Sequence, residues 1–279
     1  MSGTLFVIGT PIGNLADLSD RARETLADVD LVAAEDTRRT GRLLQGLGLR
    51  KKLVSLHDAN EQTRAPEVLA VLREGRSVAL VSDGGMPLVS DPGYRLVHLC
   101  AEEGVDVRVV PGPSAVLAAL VVSGLPTDRF AFEGFPSRKR GERTARLEEL
   151  RHDPRTLVFF ESPLRVRVLL EDLLAVLGDR RVALCRELTK LHEEVLRGRV
   201  SDVLAAAGDR ALKGEVVVVI EGGGPPEPDE GAALGEARSL IDTGVRARDA
   251  AREVAERRGM SANELYRSLL ATRPETRDR

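Results

Sequence analysis

Five short segments of this chain hold the residue types that bind and transform small polar ligands. They are Gly9-Thr10-Pro11-Ile12-Gly13-Asn14, Glu35-Asp36-Thr37-Arg38-Arg39 and His57-Asp58-Ala59-Asn60-Glu61, then Ser82-Asp83-Gly84-Gly85-Met86-Pro87 and Pro111-Gly112-Pro113-Ser114. Carboxylates and an imidazole in the second and third segments are groups that can accept a proton. Asp83-Gly84-Gly85 offers backbone N–H and C=O groups with no Cβ to hold a ligand away. Such a loop suits a compact ligand with polar groups spread around an adenosine.

Several familiar chemistries are excluded. Gly9 and Gly13 stand four apart with Pro11 between them, so the dinucleotide fingerprint is absent, and no phosphate-binding P-loop occurs. The four histidines are scattered without metal-ligand spacing, and no metal site is expected. No nucleophile elbow is present. Each segment also has a plainer reading. Gly and Pro after a strand commonly make turns, Glu-Asp-Thr-Arg can be a helix start with a surface salt bridge, and His57 can be a turn histidine.

What sets these segments apart is their position. Each follows an aliphatic run, at 5–8, 31–34, 53–56, 78–81 and 107–110, and helical patterns at 22–27, 40–47, 65–73 and 92–103 lie between the runs. This alternation predicts an α/β domain with a largely parallel sheet, in which all five segments lie along the carboxyl edge where ligands bind. Asp91 and Pro92 read as the N-cap and first residue of the helix at 92–103. A sharp break at 110–114 opens an apolar helix at 115–122, and a second α/β region follows. Its strands are expected at 130–132, 157–160, 182–185 and 216–220, with its clearest helix at 166–177. The composition of 222–228 reads as a linker. Beyond it, helices at 249–257 and 261–270 flank Gly259, with Ser261 and Glu264 spaced as a capping box. The expected domains are 1–111, 112–223 and 224–279.

With 42% apolar and 30% charged residues, the chain has ordinary globular composition. Its net charge of −3 creates no global field for a polyanion, so any grip on nucleic acid must be local. Aromatic residues are only 3% of the chain and tryptophan is absent, which weighs against a base-stacking sheet. Cys100 and Cys185 are far apart, as buried thiols of a reducing compartment would be. No run is long enough to span a bilayer, and a cytoplasmic location is expected.

The segments, extended to Leu15, Ala34-Glu35, Val81-Ser82 and Asp91-Pro92-Gly93, together resemble the ribosomal small subunit methyltransferase I family. So do Pro111 to Ala115, Glu133-Gly134-Phe135, Phe160-Glu161-Ser162, Arg186-Glu187-Leu188-Thr189-Lys190 and Lys213-Gly214-Glu215, in the expected order over nearly the whole chain. The resemblance implies two α/β domains of the tetrapyrrole-methylase type with the ligand cleft between them, plus a small helical C-terminal domain, usually as a homodimer. It implies S-adenosylmethionine as cofactor. It also implies methyl transfer to the ribose 2′-hydroxyl of a decoding-centre cytidine in 16S rRNA, within the small ribosomal subunit. The cofactor would rest on Pro11, Asp83, Gly84, Gly85, Met86, Pro87, Ser114 and Ala115. From the second domain, Phe160, Glu161, Ser162, Gly214 and Glu215 would complete its site. Gly84, Met86 and Leu164 depart from the family pattern, and Leu164 removes a histidine common at its place.

Transfer from a sulfonium depends mainly on positioning, with a group in reach to take the hydroxyl proton. Glu35, Asp36 and His57 are the candidates, while Arg38 and Asn60 are assigned to the acceptor. Arg138, Lys139, Arg140 and Arg143, in a basic helical stretch, are the expected phosphate contacts, with tail arginines as a second surface. A solvated helix with internal ion pairs is the plainer alternative. Two other functions compete. A porphyrinoid methylase on the same scaffold would need a broad apolar cleft, and a non-catalytic nucleic-acid binder would leave the five segments unexplained.

Overall fold

The five aliphatic runs of the first half pair side by side in a computed structural model that describes residues 2–208, 213–224 and 230–271. They form β1 (Thr4–Ile8), β2 (Leu31–Ala34), β3 (Leu53–Ser55), β4 (Val78–Val81) and β5 (Asp106–Val110). Between them run α1 (Asp20–Asp28), α2 (Thr37–Gly46), α3 (Glu61–Arg73) and α4 (Tyr94–Glu102). All pairings are parallel, in the order β3-β2-β4-β1-β5. Helices cover both faces, as a parallel sheet requires. Leu5, Val7 and Leu80 pack with Leu69, Leu72 and Leu96 on one face, and Ile8, Val32 and Val81 with Leu26 and Leu44 on the other.

The start of α4 corrects the sequence reading. The helix begins at Tyr94 after Gly93, whose φ of 127° suits glycine. The carboxylate that serves this end is Glu61 of α3, whose Oε1 accepts from the N–H groups of Gly93 (3.1 Å) and Arg95 (2.8 Å). Asp91 is therefore not the cap, and its side chain is hydrogen-bonded with Ser82 instead.

The second sheet is mixed. Following α5 (Ala115–Ser123), it contains β6 (Phe130–Gly134), β7 (Thr156–Glu161), β8 (Arg181–Arg186), β9 (Glu194–Arg199) and β10 (Val216–Ile220). Their order is β6-β7-β10-β8-β9, with only β6 and β7 parallel. Its helices are α6 (Arg140–Glu149), α7 (Val166–Leu177) and α8 (Val200–Ala207). Ile12, from the loop after β1, packs with Val116, Leu120 and Val217 in the core of this second sheet.

The chain divides into two compact units, Met1–Gly223 and Gly224–Arg279. Gly222 and Gly223 belong to packed structure rather than to a linker, because the Gly223 N–H donates to the carbonyl of Asp153 at 2.6 Å. A Cβ on Gly222 would fall 2.3 Å from the carbonyl oxygen of Pro154. Residues 225–228 of the expected linker lie outside the described residues. The second unit contains α9 (Glu230–Asp242), α10 (Ala247–Arg258) and α11 (Ala262–Ala271) around Ala237, Val254, Leu265 and Leu269. The Glu264 N–H donates to Ser261 Oγ at 3.4 Å, which caps α11.

Arg143 is not available to phosphate. Its side chain is 8% exposed and donates to Asp172 of α7, itself 3% exposed, at 2.6 and 2.7 Å. It also donates to the carbonyls of Ser137 and Arg138, so it fastens the segment between β6 and α6 from beneath. Removing one partner of such a pair strands the other charge in the interior. Asp172→Ala is expected to cost about 3–5 kcal/mol of unfolding free energy in a denaturant titration. Arg143→Met with Asp172→Leu should recover most of it, and a single variant of wild-type stability would show that the pair is not buried in solution.

Candidate active site

The carboxyl edge of the first sheet is drawn tight by main-chain contacts. The Thr10 and Gly85 backbones exchange two hydrogen bonds of 2.9 and 3.0 Å, and Thr10 Oγ1 donates to the Ser82 carbonyl at 3.2 Å. A Cβ on Gly9 would sit 2.6 Å from the Cα of Gly112, so the loops after β1 and β5 touch backbone to backbone. These approaches bring the loops after β1, β4 and β5 into one rim.

That rim forms one wall of a cleft of about 570 Å³, whose other wall comes from the second sheet. Pro11, Ile12, Gly13, Asp83, Gly84 and Ala115 line the first wall, joined by Glu35 and Arg39 from beyond β2. Glu35 Oε2 accepts from the Asp83 N–H at 3.3 Å, the Asp36 N–H donates to Asp83 Oδ1 at 3.1 Å, and Arg39 pairs with Asp83 at 3.5 Å. Burial raises Glu35 above the ordinary carboxylate range. The Asp83 N–H opposes that shift, and the charges of Asp83 and Asp58 reinforce it.

Asp91 completes this wall, beside Ser90. The backbone that delivers it is unusual, with φ of 71° at Leu88 and 62° at Ser90. Residues held in the left-handed region cost free energy and cluster at functional sites. Burial pushes Asp91 up to about 6, a hydrogen bond with Ser82 works downward, and Glu35, Asp83 and Asp58 push further up. The sequence reading missed this residue because Asp-Pro before an apolar helix is also a capping signature.

From the second sheet come Phe135, Phe160, Glu161, Ser162, Pro163, Lys190, Gly214 and Glu215. Glu161 is buried, held by Arg165 at 2.5 Å and by the Ser162 N–H at 2.7 Å. Lys190 binds Glu187 at 2.8 Å and Glu215 at 3.2 Å. Burial works against its charge, but those two carboxylates more than offset this and hold it above the usual lysine range. Its turn is strained, with φ of 53° at Glu187 and 66° at Thr189. Thr189 Oγ1 is buried without a hydrogen-bond partner among the described residues. The Lys190 stem lies over Gly13, where a Cβ would come within 2.4 Å of its Cγ, so this lysine spans the cleft.

Several expected site residues are placed elsewhere. Asp36 is the N-cap of α2 and holds its neighbour Arg38 through two side-chain bonds of 3.1 and 2.7 Å. The Arg38 hydrogen bonds hold Asp36 well below the usual carboxylate range, which makes it a poor proton acceptor. The plainer reading of Glu-Asp-Thr-Arg therefore describes Asp36 and Arg38, while their neighbours Glu35 and Arg39 face the cleft. His57 and Asn60 follow the edge strand β3 and are not among the cleft residues. Asn60 Oδ1 accepts from the His57 N–H at 2.9 Å, and its Nδ2 donates to the Ser55 carbonyl and hydroxyl, so its side chain shapes the loop.

On the cofactor side, the backbone groups of Gly85 are consumed in the Thr10 pairing, and Gly85 is buried. Met86 packs into the first-domain core, and Pro87 is buried. Ser114 caps α5, accepting from the Leu117 N–H at 3.4 Å. Of the cofactor residues expected from these loops, Pro11, Asp83, Gly84 and Ala115 line the cleft. Leu164, 84% exposed, follows directly on the cleft residue Pro163.

A family model described as "Tetrapyrrole (Corrin/Porphyrin) Methylases" matches residues 4–204. A relative from Escherichia coli O157:H7 named "Ribosomal RNA small subunit methyltransferase I" is 46% identical, covering 96% of this chain and 95% of that one. The chain belongs to the ribosomal RNA small subunit methyltransferase I family of tetrapyrrole methylases. A Mycobacterium tuberculosis relative of the same name is 44% identical, with coverage of 99% and 97%. A third, from Thermotoga maritima, is 48% identical and aligns over 220 residues, 79% of this chain but 99% of its own. About a fifth of this chain thus has no counterpart there. Among solved structures, uroporphyrin-III-C-methyltransferase from Thermus thermophilus matches with a TM-score of 0.56 at 25% identity, covering 78% of this chain and 94% of that one. Methyltransferase CobJ matches with a TM-score of 0.60 at 23% identity, covering 79% and 95%, and shares the fold.

The cofactor of these enzymes is S-adenosylmethionine. The cleft fits it in size and in charge, for Glu35, Asp83 and Asp91 line it and would face a donor that is cationic at sulfur and at its amine. Pro11, Gly84, Ala115 and the backbone at Gly214 would hold it. A folded-state pKa raised from 3.8 to about 6 means that stability declines as pH rises through that window. Asp91→Asn should therefore melt higher than wild type at pH 7.5, with the difference closing near pH 4. The variant should also bind S-adenosylmethionine roughly three- to tenfold more weakly by calorimetry, having lost a charge that favours a cation. Identical melting curves at both pH values would mean that Asp91 is not desolvated.

Proposed function

We propose that this chain transfers the methyl group of S-adenosylmethionine to the ribose 2′-hydroxyl of a decoding-centre cytidine in 16S rRNA, within the small ribosomal subunit. The observation that carries the substrate class is the near full-length match to relatives named for small-subunit ribosomal RNA. The donor brings an activated methyl group. What the protein must add is alignment of the hydroxyl and a place for its proton. Of the expected proton acceptors, Glu35 stands in the cleft wall, with Asp91 beside it. Three acidic side chains on one wall fit a porphyrinoid acceptor, itself rich in carboxylates, less well than a neutral ribose hydroxyl.

The phosphate grip is assigned to Arg138, Lys139 and Arg140, which are exposed just beyond the cleft residue Phe135. Lys139 also pairs with Glu142, and Arg140 approaches Asp172 at 3.4 Å, so part of their charge is already shared. The C-terminal unit is read as accessory, because the family model matches residues 4–204 and a Thermotoga relative of the same name aligns with only 79% of this chain. A homodimer in the cytoplasm is the expected setting. Leu117 and Val121, one turn apart on α5 and 51% and 76% exposed, offer apolar surface for self-association.

Mass mapping of 16S rRNA from cells with and without the gene should locate one ribose methyl group that depends on it. Methylation elsewhere, or on a base, would overturn the assignment. Reversing the charges of Arg138, Lys139 and Arg140 should weaken transfer to small subunits and lower the salt slope of binding by about one per lost phosphate contact. Cofactor affinity should not change. Wild-type rate and salt dependence in that variant would remove this segment from the RNA interface.

A further inference from the structure

The chain has only six phenylalanines, yet three of them form one cluster, two of which line the cleft. Phe132 packs edge-on against Phe160 with centroids 4.8 Å apart and an interplanar angle of 67°. Phe135 lies against the same Phe160 at 5.4 Å and 58°. Phe160 is half-buried, whereas Phe135 lines the cleft and remains 58% exposed. What distinguishes Phe135 from other exposed apolar side chains such as Tyr94 is its place in the cleft lining with a second ring, Phe160, packed against it.

The backbone holds this ring in place. Strand β6 is bulged between Phe132 and Gly134, where the register to β7 shifts. Bulges re-aim side chains beside active sites. Gly134 follows at φ 65°, so close to the first wall that a Cβ there would lie 3.4 Å from Ser90 Oγ. Glu133 is tied to Arg146 at 2.9 Å, and the buried Arg143 holds the carbonyls of Ser137 and Arg138. The segment on either side of Phe135 is thus fastened at Glu133, Ser137 and Arg138, while the ring, packed on Phe160, lines the same cleft as Ser90 and Asp91. A platform fixed before binding loses little freedom when a ligand settles on it.

We propose that Phe135, backed by Phe160, is the platform on which the base of the acceptor nucleotide stacks. This assignment rests on the reading that the acceptor is a ribose in RNA. A base is flat and stacks on an aromatic face, and the ribose it carries would be placed beside the carboxylate wall. The half-exposed position favours the acceptor over the adenine of the donor. The acceptor arrives on a polymer too large to enclose, so its contacts belong at the mouth of the cleft.

The absence of tryptophan makes the test direct. Phe135→Trp gives the full-length protein a single tryptophan whose emission a stacked base quenches. Titration with a short oligoribonucleotide containing the cytidine, in the presence of S-adenosylhomocysteine, should quench it, whereas S-adenosylhomocysteine alone should not. Quenching that saturates with S-adenosylhomocysteine alone would place the donor's adenine on the ring and overturn the proposal. In steady-state assays on unmethylated small subunits, Phe135→Ala should raise KM for the subunit roughly five- to a hundredfold. Phe135→Tyr should restore KM and Phe135→Leu should not, while cofactor affinity and melting temperature hold throughout. A wild-type KM in Phe135→Ala, alongside an active wild-type enzyme, defeats this assignment alone. A wild-type protein that methylates no ribosomal RNA defeats the substrate reading and this assignment with it.

Discussion

The site depends on how closely three loops approach one another at the carboxyl edge of the first sheet. Parallel pairing fixes the strand ends in one row, but it leaves the loops beyond them free to diverge. Here they are drawn together by the Thr10–Gly85 bridge and by the contact of Gly9 with Gly112. The glycines are required because their main chains touch where a Cβ would have to stand. Without that approach the rim around Pro11, Asp83 and Gly84 would open, and Ile12 would no longer reach the core of the second sheet.

Once the rim is closed, electrostatics gives the cleft its character. The first wall concentrates carboxylates whose charge is only partly offset by backbone N–H groups and Arg39. The second wall answers with Lys190, held between Glu187 and Glu215. A cationic donor bound against this wall would relieve the repulsion among Glu35, Asp83 and Asp91, so part of its binding energy would come from tension already present in the protein. Both strained turns, at Leu88–Ser90 and at Glu187–Thr189, belong to segments that deliver charged residues to this cleft.

Much of this was legible in the sequence, for identifiable reasons. The buried strands β2, β4 and β10 and the helix α7 are long or uniform enough in apolar pattern to be read directly. The edge strand β9 was not, because Glu194, Arg197 and Arg199 interrupt its apolar residues, as charges on edge strands commonly do. Local sequence also cannot show which of two neighbouring residues faces a cleft. Glu35 and Arg39 do, while Asp36 and Arg38 satisfy each other. Arg143 looks like a surface cation until α7 supplies Asp172, a partner 29 residues away. The scarcity of aromatics argued against base stacking when averaged over the chain. It loses that force when Phe132, Phe135 and Phe160 gather in one place.

The main-chain construction of the rim also shapes how the gene can vary. At Gly9 and Gly112 every coding change adds a side chain where another backbone already lies, so there is no small step available. At Met86 the side chain packs against the core and against Gly9, so an exchange there has to keep its shape as well as its bulk. An inhibitor that addressed the rim through its main-chain atoms would meet few point mutations able to evade it, because the atoms it recognises are common to every amino acid.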